Sequence, residues 1–285
     1  MNTLKTGLLL TALTLLLVLG GRAIAGPNGM TIALGLAVVM NAVAYFFSDK
    51  IALAASGAQP VSREQAPRLY AVLERLCGKA SLPLPKLYVI PQAAPNAFAT
   101  GRNPGHASVA VTAGLLELMS DEELEGVIAH ELSHVRNYDI LTTSVAATLA
   151  GAITWVAEMG RWAMIFGGYG SSRDDDRGGG GMSALLMLIV APLAALLIQL
   201  GISRQREYAA DAAGVRMVGY PQGLISALQK LGAYNKKIPM DVSPTIASLY
   251  IVAPLSAGPF VSGLFSTHPP LEDRIAALRN LVVTR

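Results

Sequence analysis

Charge is what this sequence has least of. Charged residues make up 14% of the chain, against roughly 25% in an ordinary soluble domain. With 52% hydrophobic residues and a mean hydropathy of +0.46, the apolar surplus over 285 residues cannot all face water, and a bilayer is its natural sink. The formal charge is only +3 and no Lys/Arg-rich stripe is present, which excludes a nucleic-acid partner. Cysteine is nearly absent too. Cys77 alone cannot form an internal disulfide, so the fold does not depend on an oxidising compartment. Cys77 reads as a small buried hydrophobe on a helix. Histidine occurs only four times, so any ordered pair of histidines stands out.

What is abundant is apolar runs. Four segments, Thr6–Leu19, Met30–Phe47, Ile140–Phe166 and Met182–Ile202, approach the ~20 residues a helix needs to cross a bilayer. The first is short. Lys5, its apolar run and Ala23-Ile24-Ala25 resemble a cleavable signal peptide, but Arg22 inside the would-be cleavage region favours an uncleaved anchor. Lys50, Arg136, Arg204 and Arg206 flank the segments on one side, which the positive-inside tendency makes cytoplasmic. The loop on the other side, Gly167–Gly181, reads as a flexible solvated connector, its Asp174–Asp176 run included.

The remaining pattern is that of a small mixed domain. Leu69, Val72, Leu73 and Leu76 recur at helical spacing within Arg63–Lys79. Leu87–Ile90, Asn96–Thr100 and Ala107–Thr112 are strand candidates. Ser120 followed by Glu123 is a capping box opening a helix that carries Gly126–His134 and could run on toward the third apolar segment. Gln205–Val218, Gln222–Tyr234 and Leu271–Leu281 read as further helices. The fold class is therefore mainly α with a small β-sheet, in an integral membrane protein of about four transmembrane helices. Its parts are 1–47 (two transmembrane helices), 48–139 (a cytoplasmic part), 140–202 (a transmembrane hairpin) and 203–285 (a second cytoplasmic part).

The chemistry lies in His130-Glu131-Leu132-Ser133-His134, an H-E-x-x-H pattern. Residues four apart share one helix face, so both imidazoles can address one tetrahedral Zn²⁺ at ~2.0–2.1 Å. Glu131 then stands beside the open position as a general base. It would otherwise be a charge among Val127, Ile128, Ala129 and Leu132. A catalytic zinc usually takes a third protein ligand, and Glu207 and Asp211, four apart on one face, are the best candidates. One could bind metal while the other orients a ligand imidazole. His268, before two prolines on a rigid extended turn, could donate a hydrogen bond to a tetrahedral oxyanion.

HELSH, then REYAAD after a hydrophobic hairpin, then STHPP resemble the HtpX-type membrane metallopeptidases, relatives of the CAAX prenyl proteases and OMA-type gluzincins. The resemblance spans nearly the whole chain. It implies a zincin-like metallopeptidase with one Zn²⁺ per chain, Glu207 as third ligand and Asp211 as the acid that orients a ligand imidazole from behind. It further implies His268 near the active site, Asn137 and Asp139 in orienting roles, and Asn96 on a strand that aligns the substrate by strand addition. The implied activity is a zinc endopeptidase of the bacterial-type inner membrane, multi-pass, cutting misfolded or damaged membrane proteins at the cytoplasmic face. The rival readings are a catalytically inactive membrane scaffold or transporter, and a prenyl-protein protease. The first is disfavoured by intact HELSH and few intramembrane charges. The second needs a larger intramembrane chamber than so few spans build.

Overall fold

The structure, a computed structural model, describes residues 2–167, 203–235, 237–240, 242–254 and 268–281. Helix α1 (Asn2–Ala55) is a folded-back pair of arms. Asn41 Nδ2 donates to Thr14 Oγ1 at 2.8 Å, 27 residues away, whereas a straight helix would hold those residues ~40 Å apart. The reversal lies at Gly26, whose φ of +61° suits a residue without Cβ, followed by Pro27, which starts the second arm. Leu8, Leu15, Ile32, Val38 and Phe46 leave the outside of this hairpin apolar. Among the described residues one helix, Gly26–Ala55, is long and apolar enough to cross a membrane; Leu4–Leu19 and Asp139–Thr154 are shorter apolar helices. The expected fourth segment, Met182–Ile202, and the glycine-rich connector before it lie outside the described residues.

After α1 come β1 (Gln59–Pro60), α2 (Pro67–Ala80), β2 (Lys86–Ile90), β3 (Ala97–Gly101) and β4 (Ala107–Thr112). The sheet order is β1-β2-β4-β3, with β2 parallel to β4 and β3 antiparallel to β4 as an edge strand. Strand alternation divides the interior in two. Ala97, Ala99, Val109 and Val111 enter the main core, while Phe98, Ala110 and Ile90 enter a second one. Neither β1 nor the short α3 (Ala113–Leu118) has a sequence signal strong enough to predict it.

α4 (Asp121–Arg136) runs through the main core, and its capping box forms, with Ser120 Oγ receiving the Glu123 N–H and Glu123 returning to the Ser120 N–H. It does not run on into the next segment. Tyr138 adopts the left-handed conformation at φ 60°, and α5 (Asp139–Gly167) starts anew one residue later. The first half of α5 is buried against the α1 hairpin through Leu141, Val145 and Leu149, and Thr6 and Thr142 share a hydrogen bond there. α6 (Arg204–Val218) and α7 (Gln222–Asn235) pack on α4. The short α8 (Pro244–Ala247) and then α9 (Leu271–Arg279) complete the described elements.

Candidate metal centre

Two helices make the site. On α4, the four-residue spacing stacks the imidazoles of His130 and His134, with Nε2 atoms 3.1 Å apart. On α6, Glu207, Ala210, Asp211 and Gly214 form one buried stripe at helical spacing. Gly214 sets how closely the helices cross, since a Cβ there would stand 3.0 Å from the backbone N of His130. The crossing delivers Glu207 to both rings. Its Oε2 lies 3.7 Å from His130 Nε2 and its Oε1 3.5 Å from His134 Nε2. These three ligand atoms lie within 4.8 Å of one another. Tetrahedral ligands at ~2.0–2.1 Å from one ion would be separated by ~3.3 Å, so the set is already at coordinating distance. Glu207 Oε2 is buried without a close hydrogen bond, its charge met at longer range by His268 Nδ1 and Arg274 Nη1, which leaves it able to accept a cation.

The far side of each ring is held. His130 Nδ1 lies 2.8 Å from Asp211 Oδ1, and His134 Nδ1 lies 3.2 Å from Asp139 Oδ2. Donation from each Nδ1–H leaves each Nε2 lone pair facing the cluster centre. The turn at Tyr138 is what brings Asp139 back under His134. The sequence pattern left open which acid of the Glu207/Asp211 pair faces the ligand position. The structure puts Glu207 there and Asp211 behind His130.

Glu131 is buried beside this cluster, and its desolvation pushes the carboxyl up to about 7. For His134, burial works toward the neutral form, but the Asp139 hydrogen bond and the charges of Glu207 and Glu131 outweigh it and raise the ring to about 9. His130 is lowered, chiefly by burial. Burial would also raise Glu207, yet His268, His134 and Arg274 hold it well below the ordinary carboxylate range. Four buried carboxylates (Glu131, Asp139, Glu207, Asp211) meet two guanidiniums, Arg274 and Arg206.

His268 lines the same small cavity, with Nδ1 3.3 Å from Glu207 Oε2; Ser266 and Thr267 of its motif lie outside the described residues. Asn137 sits at the exposed C-cap of α4. Asn96 precedes β3, and its buried side chain is spent on the 252 backbone rather than aimed at the cluster. The residue that sequence reasoning missed is Arg274. It is wholly buried, grips Asp211 with Nε at 2.8 Å and Nη2 at 2.6 Å, and stands 3.5 Å from Glu207 Oε2. Its signal was available: Arg274 falls on the apolar stripe of Leu271, Ile275 and Leu278, where an unpaired cation does not belong.

Residues 63–282 match Peptidase family M48. The chain is 55% identical over 277 residues to the Protease HtpX homolog of Desulfatibacillum aliphaticivorans, covering 97% of this chain and 89% of that one. It is 54% identical over 278 residues to the Protease HtpX homolog of Thermodesulfovibrio yellowstonii, covering 98% of each. The fold resembles the crystal structure of S. mikatae Ste24p at a TM-score of 0.53 and 20% identity, covering 97% of this chain and 64% of that one. The chain therefore belongs to Peptidase family M48, among its HtpX-type members, and is a membrane metallopeptidase.

Proposed function

We propose that this chain is a zinc endopeptidase holding one ion per chain between His130, His134 and Glu207, and cutting misfolded or damaged membrane proteins at the cytoplasmic face of a bacterial-type inner membrane. The observation that carries the reading is the convergence of two imidazole Nε2 atoms and a buried carboxylate at 3.1–3.7 Å, with Glu131 buried in the same cavity. A zinc ion there would polarise the scissile carbonyl and acidify the attacking water toward ~7. Glu131 takes the proton from that water and returns it to the leaving amine. His268, lining the same cavity, donates a hydrogen bond to the developing oxyanion. Asp211 and Asp139 keep the two rings in the ligating tautomer, and Arg274 keeps Asp211 in place. Asn137 shapes the turn that leads to Asp139. The backbone of β3, entered through Asn96, aligns the substrate chain by strand addition.

The apolar exterior of the α1 hairpin supports insertion of 1–47, and the apolar composition of 140–202 supports a second inserted hairpin, with 48–139 and 203–285 forming the peptidase body between them. The test is bound zinc and casein cleavage in detergent for wild type and Glu131→Ala. The variant should keep its zinc and lose cleavage by ~10²-fold or more; normal cleavage by the variant ends the proposal.

A further inference from the structure

The cavity between the metal-ligand cluster and β3 measures only about 30 Å³, room for one or two waters and far too little for a peptide. What closes it is the chain itself: Ser248, Leu249, Tyr250 and Ile251 form one wall. These residues also occupy the edge a substrate strand would need. In the β3–β4 pairing the carbonyl of Asn96 turns inward to the Thr112 N–H. Alternation therefore turns the polar groups of Ala97 and Ala99 outward. Of these outward groups, Ala97 O receives the Ile251 N–H at 2.9 Å, the Ala97 N–H turns back to Asn96 Oδ1 at 3.1 Å, and the Ala99 N–H is bonded to Glu131.

The segment is fastened at several points. Asn96 Nδ2 donates to Val252 O at 2.8 Å while its Oδ1 receives the Val252 N–H. Arg274 Nη1 donates to Ile251 O at 2.9 Å. Asn235, at the C-terminal end of α7, holds Ala253 O, and Tyr250 packs edge-on against Phe98 with centroids 5.0 Å apart. On its far side Ile251 and Val252 line an open pocket of about 250 Å³ that also reaches His268.

We infer that residues 248–253 form a strap seated in the substrate groove as an internal strand mimic, which an extended polypeptide must displace from β3 before it can be cut. This rests on substrate addition to β3 and deepens it. It assigns Asn96 to the latch, and it selects locally unfolded segments, whose free backbone can compete for the Ala97 carbonyl. Lifting Ile251 and Val252 would join the small cavity to the larger pocket past His268.

Hydrogen exchange of the full-length protein in detergent, with casein as the probe, tests it. In metal-loaded Glu131→Gln, casein binding should speed exchange across 248–254. In the otherwise wild-type protein, Asn235→Ala should speed exchange there without substrate and raise casein cleavage roughly two- to tenfold, the equivalent of one net hydrogen bond. Casein bound with exchange at 248–254 unchanged overturns the strap. So does an Asn235→Ala protein whose segment has opened but which cuts at the wild-type rate. Failure of wild type and Asn235→Ala alike to cut casein overturns the peptidase reading along with it.

Discussion

Arg274→Met separates a buried ion pair from ordinary packing. Methionine roughly matches the aliphatic stem of arginine but removes the guanidinium that holds both Asp211 oxygens, at 2.6 and 2.8 Å, and the Ile251 carbonyl at 2.9 Å. Asp211 would then remain 2% exposed, with the His130 ring N–H as its remaining hydrogen-bond partner among the described residues. Removing one member of a buried pair costs about 3–5 kcal/mol, because the other charge is left uncompensated. At ~2–4 °C per kcal/mol for a chain of this size, the unfolding midpoint should fall by about 6–20 °C. Thermal unfolding in detergent, with metal chelated from both proteins, keeps lost metal affinity from masquerading as a lost fold. The double variant Asp211→Asn/Arg274→Met removes both members of this pair and should regain part of the loss, the rest reflecting Glu207 without its Arg274 contact. Arg274→Lys should fall between, since an ammonium cannot reproduce the two-pronged grip. A midpoint for Arg274→Met within about 2 °C of wild type would refute this reasoning, as would a double variant no more stable than the single one.

Gly214→Ala should cost about 1–3 kcal/mol and weaken metal retention. Its Cβ would meet the backbone of His130 and Ala129 at 3.0–3.1 Å and push α6, with Glu207, off α4; equilibrium dialysis against zinc measures the second effect. For Glu123, the contacts with Lys230, Ser226 and the Ser120 N–H outweigh burial and lower its carboxyl. A depressed folded pKa gives stability that is present above the unfolded value of ~4.3 and lost as pH falls through the folded one. Glu123→Gln should therefore cost ~1–2 kcal/mol at neutral pH, with the gap to wild type closing below about pH 4 in denaturant titrations. Tyr138 is 43% exposed at a φ of 60°, so glycine there should be neutral or stabilising by up to ~1 kcal/mol, while Tyr138→Val should lose about that much. Equal midpoints for the glycine and valine variants would show that the turn stores no strain.

What the sequence determined about this protein is what acts within a few residues. A four-residue spacing puts His130 and His134 on one helix face whatever the rest of the chain does, and the Ser120/Glu123 pair starts that helix. The spacing of Glu207 and Asp211 likewise places two acids on one stripe, and the apolar α1 arms announce the membrane. The resemblance implied Glu207 as the third ligand, but only the tertiary structure decided how it reaches the rings, because that depends on the angle and closeness at which α6 crosses α4, set by Gly214. It likewise placed Asp139 behind His134 through a left-handed turn at a tyrosine, a conformation with no local signature. Arg274 and the strap at 248–253 reach the site across long stretches of chain, through hydrogen bonds to Asp211 and Ala97. Such bonds leave no periodic trace in a sequence, because the energy that selects them exists only once both partners are buried together.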